Sequence, residues 1–387
     1  MPLRIYSAIV TGNLAYRGPE DVDALDGLDN ARKRMEILEP VVKEAYSKIK
    51  DHEAKHPPSS TMGVQRIFLA PEYYFSRQRY KDARFFSEPV RGWILTRLKA
   101  LSRACPDMLI IPGTVLWASQ ALTRPTFVQE AAEKRGLSKK DAFKEAVLVA
   151  ELKNKPRMNA MINSLSAGKE DWQYSKSATP AKNLLVPYAI PPSVKGSKPT
   201  QAFALNPLRL LGPKPMPINV AFNTAYVLLG SKVLEYHKTG NYQEVKGEVR
   251  PLVYFSGGVK GIFTLGGLRY GLEICMDHAT GVLADPSNPN RKPVDIHLIV
   301  SSFVDFKNSD ATVILHSSTQ KPGLITYKDG STHDARTTPV LAQSGVTKAD
   351  EFKSKESTVT VLNVPNLSSS GTLLEGITLH EPDQWTA

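Results

Sequence analysis

Leu268-Arg-Tyr-Gly-Leu-Glu-Ile-Cys-Met-Asp-His278 carries an apolar run, Leu268 to Ile274, broken by Gly271 and Glu273, that leads directly into Cys275. The pattern predicts a buried strand followed by a sharp turn, with Asp277 and His278 just beyond it. A cysteine at a strand end has the geometry that a nucleophile needs, because its sulfur can be exposed while its backbone stays rigid. Most free cysteines are small buried hydrophobes instead, so Cys275 has to be judged by what surrounds it.

Working outward, Val259 to Leu265 is a strand joined to this one through Gly266-Gly267. Phe222 to Leu229 and Lys232 to Lys238 form a hairpin turning at Gly230-Ser231. Residues 295–301, 312–316 and 357–363 are strand-like. Towards the N-terminus, Arg4 to Val10 predicts a strand, and a Gly/Asp/Asn-rich loop runs to about Asn30. Met35, Leu38, Val42, Ala45, Tyr46 and Ile49 then recur at helical spacing to about His52, with Asp29 or Asn30 as cap and Pro40 as the awkward member. A second strand, Val64 to Ala70, ends in Pro71-Glu72-Tyr73-Tyr74-Phe75. A helix over 88–104 follows, with Trp93, Leu95, Leu98 and Leu101 on its apolar side, and then the apolar run Met108 to Val115. Strands alternating with helices predict an α/β sheet, and continuously apolar strands predict burial on both faces. The rhythm breaks over 118–219, read as a helical stretch (127–165) and a Pro-rich irregular one (179–217). Residues 320–356 and the tail after Pro365 are loop-dominated.

Composition narrows the class. At 387 residues the chain can bury a substantial core, and 41% hydrophobic with 22% charged residues is ordinary for a globular protein. Cys105 and Cys275 are the only cysteines, too few for a disulfide framework, and Cys105 lies at a helix end before Pro106 as a structural residue. No apolar run approaches the roughly 20 residues that span a bilayer, and the N-terminus lacks the layout of a secretory signal. The expectation is a cytoplasmic protein. Of the net charge of +11, residues 118–220 hold +9, from 16 Lys and Arg against 7 Asp and Glu. Those lysines lie among Pro, Ala and Ser without interleaved aromatics. A solvated basic surface or an acidic partner fits them better than nucleic acid.

Glu72, Lys238 and Cys275 share one position type, since each ends an apolar strand. Catalytic groups of α/β folds gather at strand C-termini. Together they supply a base, a cation and a thiol. A thiol with a pKa of about 8.5 is mostly protonated at neutral pH, so a base or a nearby ammonium must make the thiolate. Glu72 takes that proton if burial raises its own pKa. Lys238 serves the developing oxyanion, where losing one donor costs about 10²–10³ in rate.

Leu69-Ala-Pro-Glu72, Tyr236-His-Lys238 and Gly271-Leu-Glu-Ile-Cys-Met-Asp277, in this order, resemble the catalytic-glutamate, catalytic-lysine and nucleophile motifs of the nitrilase, or carbon–nitrogen hydrolase, superfamily. The resemblance covers roughly 3–115 and 222–305. It implies a four-layer αββα sandwich; the chain is read as one such domain over 1–387, carrying a large basic insert at about 118–219 that is expected to form a lid. It implies cleavage of a nonpeptide C–N bond, in an amide before a nitrile, through a thioester on Cys275 with Glu72 as base and Lys238 on the oxyanion. A second glutamate in a Gly-Glu pair after the lysine motif would be Glu248, with Glu244 the fallback. A small amide or amide side chain as substrate, no cofactor or metal, no membrane and a homodimer complete what it implies. The chain departs from the family pattern in Met276-Asp277-His278 after the cysteine, in the missing signal for a long helix after Phe303, and in the length of 118–219.

Other arrangements stay open. His237 and His278 flank the lysine and the cysteine, so a Cys275–His278 dyad or a papain-like site is conceivable, although adjacency in sequence does not supply the spatial arrangement that such sites need. No His-Glu-x-x-His or Cys-x-x-Cys metal motif occurs, and Gly257-Gly258 and Gly266-Gly267 read as turns. A catalytically silent scaffold of the same fold, docking an acidic partner, and a thioester-using acyltransferase are the two alternative functions.

Overall fold

A computed structural model of the chain describes residues 2–10, 22, 25, 27–77, 84–120, 185–190, 200–205, 219–238, 252–254, 261–283, 294–302, 304, 311–319, 324–327, 332–334 and 346–365. In chain order these form β1 (Leu3–Val10), α1 (Gly27–Lys55), β2 (Gly63–Ala70), β3 (Phe86–Ser87), α2 (Glu88–Ala104), β4 (Leu109–Pro112) and β5 (Thr114–Gln120). Then come β6 (Leu185–Ile190), β7 (Thr200–Leu205), β8 (Asn219–Leu229), β9 (Lys232–His237), β10 (Leu252–Tyr254), β11 (Gly261–Leu265), β12 (Leu268–Ile274) and α3 (Met276–Thr280). The last are β13 (Ile296–Ser301), β14 (Val313–Ser318), β15 (Leu324–Tyr327), β16 (Thr332–Asp334), β17 (Thr347–Ser354) and β18 (Ser357–Val364).

Two mixed sheets hold the core. The first has the order β17-β18-β1-β2-β4-β8-β5-β3, with β9 and β10 also pairing with β8; the second runs β11-β12-β13-β14-β15-β16. Side-chain alternation explains why the strands are apolar throughout. In β1, Leu3, Ile5 and Ile9 face the second sheet and pack with Leu268, Tyr270, Leu272, Leu298 and Val300. Tyr6, Ala8 and Val10 face the other way, against Met35, Leu38, Val42, Ala45 and Ile49 of α1. A strand buried on both faces reads as a near-continuous apolar run. The result is helix on sheet on sheet, three layers of the expected four-layer αββα sandwich. On the outer face of the second sheet, α3 is the one helix among the described residues. No helix among them is long and apolar enough to cross a membrane.

Several expectations are corrected. Helix α1 starts at Gly27, so Asn30 lies inside it, buried, and its Nδ2 donates to the Val22 and Leu25 carbonyls at 2.6 and 3.3 Å. It tethers the incoming chain instead of capping the helix. Pro40 is exposed, so the Glu36 carbonyl that it leaves unbonded lies on the solvent side. The buried face of α2 is Ile94, Leu98 and Leu101; Trp93 and Leu95 are partly buried. The run 108–115 is two strands, β4 and β5, broken at Gly113. Residues 320–356 hold β15, β16 and β17. Strand β17, Thr347-Lys-Ala-Asp-Glu-Phe-Lys-Ser354, is a charged edge strand, and that composition protects an edge while it mimics a loop. Within the Pro-rich stretch, β6 pairs with β7 from Leu185↔Leu205 to Ile190↔Thr200. The helix expected over 127–165 and most of the insert at 118–219 lie outside the described residues.

Gly113 has φ +84°, and a Cβ there would lie 2.2 Å from the Pro71 carbonyl oxygen and 2.9 Å from Tyr74 Cβ. Only glycine lets the β4–β5 break pass this close to the turn carrying Glu72. Gly113→Ala is expected to cost about 2–4 kcal/mol, read as a lowered urea midpoint. An unchanged midpoint would mean that the loop yields without strain.

Candidate active site

The turn after β2, the residue after β9 and the residue after β12 meet at one end of the sandwich. Backbone hydrogen bonds fix each of them. Cys275 N–H donates to the Val300 carbonyl at 2.9 Å, Glu72 N–H to the Ser301 carbonyl at 3.2 Å, and Lys238 N–H to the Asn223 carbonyl at 2.9 Å. Successive carbonyls at the end of β13 therefore position both the cysteine and the glutamate, which come from different sheets. Lys238 Nζ donates to Glu72 Oε1 at 2.8 Å, and Asn223 Nδ2 donates to the same oxygen at 2.9 Å. Side-chain exposure is 1% for Lys238 and 0% for Glu72, so this is a fully buried ion pair. The Lys238 ammonium also lies 5.7 Å from the centre of the Tyr73 ring, within cation–π range.

Two non-glycine residues among the described ones have positive φ: Tyr73 at 61° and Cys275 at 49°. Both belong to this site. Such conformations cost about 1–3 kcal/mol each, persist only where the surroundings enforce them, and cluster at functional sites. At Cys275 the strain turns the chain from β12 into α3 and leaves the side chain 5% exposed. The thiol hydrogen-bonds Glu72 and receives the Ser302 backbone N–H. Burial first, and the Glu72 charge second, push its pKa up to about 12, while Lys238 pulls it down. Burial and the neighbouring carboxylate thus favour the protonated thiol.

The residues past the cysteine face elsewhere. Asp277 accepts from Tyr236 OH at 2.8 Å, tying the β9 strand to the turn. His278 Nδ1 lies 2.8 Å from Glu273 Oε2, on the side of the second sheet away from the core, and His237 Nδ1 lies 2.9 Å from Thr224 Oγ1. The carboxylate, not an imidazole, is what the thiol meets, so the Cys–His dyad is not the pairing formed. Glu273 is held well below the usual carboxylate range, at about 2, by hydrogen bonds from His278 and His297 that outweigh its burial. Burial drives His316 down to about 3.

Glu72, Lys238 and Cys275 are thus brought together, while Glu248 and Glu244 lie outside the described residues. Asn223 was missed. Its signal was present: Asn223-Thr224 interrupts the apolar β8, and the hairpin turn at Gly230 sets Asn223 opposite Lys238. The Glu273, His278 and His297 cluster was also missed, since two of its members lie on neighbouring strands far apart in sequence.

No protein-family model and no curated protein matches the sequence. Among solved structures, the chain is similar to a mutant amidase of the nitrilase superfamily from Nesterenkonia AN1, with 10% identity, 94% of this chain and 92% of that chain covered, and a TM-score of 0.38. It is similar to a CN-hydrolase superfamily protein from Xanthomonas campestris, with 8% identity, coverage of 95% and 91%, and a TM-score of 0.37. It is similar also to a glutamine-dependent NAD(+) synthetase from Cytophaga hutchinsonii, with 10% identity, 94% of this chain and 43% of that chain covered, and a TM-score of 0.39. At TM-scores this low the likeness carries no weight for the chemistry, which the site's own geometry must supply.

The charges around the thiol make a signed prediction. Lys238→Ala should shift the alkylation profile of Cys275 to higher pH, and Glu72→Gln should shift it lower. Peptide mass across pH reads both, with Cys105 as internal reference. Burial pushes that thiol up to about 11, and its charged neighbours are Lys43 and Asp107. A Cys275 profile indifferent to both substitutions would contradict the electrostatic account.

Proposed function

We propose that this chain is a thiol amidohydrolase that cleaves a nonpeptide C–N bond, in an amide before a nitrile, through a thioester on Cys275. The observation that carries the proposal is the convergence of a thiol, a carboxylate and an ammonium, from three strand ends, beside two strained backbone positions. Cys275 Sγ attacks the carbonyl carbon while its proton passes to Glu72, so no free thiolate of high pKa has to form. Lys238 and neighbouring donors stabilise the oxyanion. Glu72 then gives the proton to the leaving nitrogen, and the C–N bond breaks to leave a thioester. Water, deprotonated by Glu72, attacks the thioester; the C–S bond breaks, the acid leaves, and the proton returns to sulfur. Asn223 fixes the carboxylate by donating to Oε1 while Glu72 acts.

The near-complete burial of all three side chains favours one alternative, a binding protein of the same architecture whose site is silent.

The test is ammonia or amine release from a panel of small amides, together with intact mass after acid quench. The wild type should turn over at least one amide and show an acyl adduct. Cys275→Ala should show neither, and Glu72→Gln should lose about 10²–10⁴-fold in turnover. Wild type equal to Cys275→Ala across the panel, with no adduct, would sink the enzyme reading and leave the silent protein.

A further inference from the structure

The outer face of the second sheet carries a second constellation, which the chemistry proposed for Cys275 does not use. We propose that Glu273, His278 and His297 form a binding site for a divalent first-row cation of the zinc kind. The register builds it. Strands β12 and β13 run parallel with Gly271 opposite His297 and Glu273 opposite Ile299. Glu273 and His297 therefore project from one face, diagonal to each other. Helix α3 begins straight after Cys275 and brings His278 over the same face. Opposite His297, Gly271 lets Leu283 pack against the strand, since a Cβ there would lie 2.5 Å from Leu283 Cδ1.

One donor atom from each of the three lies within 4.8 Å of the others. His278 Nδ1 and His297 Nε2 are 2.8 and 3.0 Å from Glu273 Oε2. A zinc ion about 2.0–2.2 Å from each donor requires donors roughly 3.4 Å apart at tetrahedral angles. The two histidine–Glu273 separations would open by roughly 0.4–0.6 Å to admit it. Two imidazoles and one carboxylate are a donor set that zinc takes, and here all three are buried, at 1, 3 and 1% exposure. Without a cation, both imidazole nitrogens crowd a single carboxylate oxygen; a cation between them would replace any protons they share with it and balance the buried charge.

The surroundings are those of a built site. Leu283 N–H donates to Glu273 Oε1 at 2.8 Å, which fixes the carboxylate plane, as outer-shell partners of metal ligands do. On the next strand His316 pairs with Ile299 in register and so shares the face of Glu273 and His297. Its Nε2 is held by Ser301 Oγ at 2.6 Å, and its Nδ1 is buried with no hydrogen-bond partner among the described residues. His316 adds a further buried imidazole to this face beyond the three clustered donors. A cation here would join α3 to β12 and β13 directly behind the strained turn at Cys275. The assignment does not rest on the catalytic reading.

The test uses full-length protein, stripped with chelator and dialysed against zinc chloride, with metal measured by elemental mass spectrometry. The stripped wild type should take up one tightly held zinc per chain. His297→Ala and Glu273→Gln should lose it, and His56→Ala should keep it. This last variant breaks an exposed group, His52, His56 and Asp350, that could also hold a metal. Cobalt substituted for zinc should give a d–d absorption that His297→Ala lacks. Because the core variants could fail to fold, the wild type is also compared with itself, and zinc should raise the unfolding midpoint of the stripped protein. A midpoint indifferent to zinc would overturn the proposal. So would uptake that His297→Ala retains, or uptake that His56→Ala abolishes.

Discussion

Placing Glu72 and Lys238 together at essentially zero exposure removes two full charges from water, at several kcal/mol of desolvation for each. Most of the local structure follows from meeting that cost. The ammonium lies on the carboxylate oxygen, Asn223 reinforces the same oxygen, and the Tyr73 ring faces the cation. Geometry this demanding requires fixed backbones. The carbonyls of Val300, Ser301 and Asn223 hold the three site residues by their own N–H groups. Since Glu72 belongs to the first sheet and Val300 and Ser301 to the second, the ion pair depends on the two sheets meeting in one register. The apolar packing between Leu3, Ile5, Leu272 and Leu298 sets that register. A hydrophobic isostere would serve stability as well or better, so stability does not account for the pair.

The positive φ of Tyr73 and Cys275 fits the same account. Strained residues survive where neighbours over-determine them, and here the neighbours are the turn closed by Gly113 on one side and the clamped α3 on the other. Glu273 accepts from Leu283 N–H at the far end of the α3 turn and meets His278 within it. The residue two before the cysteine thus fastens the chain that follows it.

The sequence made the framework legible because burial on both faces leaves an unmistakable trace: continuous apolar runs at β1, β2, β4, β8, β12, β13 and β14. The convergence of Glu72, Lys238 and Cys275 was legible for the opposite reason, as polar side chains at the ends of such runs. Elements that solvent touches on one side were harder to read. Strand β17 reads as loop because charged residues guard it, and the start of α1 is obscured because Asn30 bonds backward to the preceding chain. Asn223 and the Glu273 cluster escaped because their meaning lies in strand register, and a hairpin fixes register locally whereas a parallel pair such as β12 and β13 does not. The Cys275–His278 pairing failed for a related reason, since a turn with positive φ sends neighbouring side chains in different directions.

The order β17-β18-β1-β2 has a consequence for how the protein is made. Strand β1 finds its antiparallel neighbour only in β18, with Leu3 opposite Val364 and Val10 opposite Ser357. At ribosomal speeds of about 5–20 residues per second, the 347 residues from Val10 to Ser357 take on the order of 20–70 seconds to arrive. Throughout that interval one edge of an apolar strand near the middle of the first sheet has no native partner to pair with. Open edges of this kind recruit other strands, so the nascent chain is most exposed to mispairing before its last hairpin emerges. The hazard belongs to biosynthesis and vanishes once the sheet is complete.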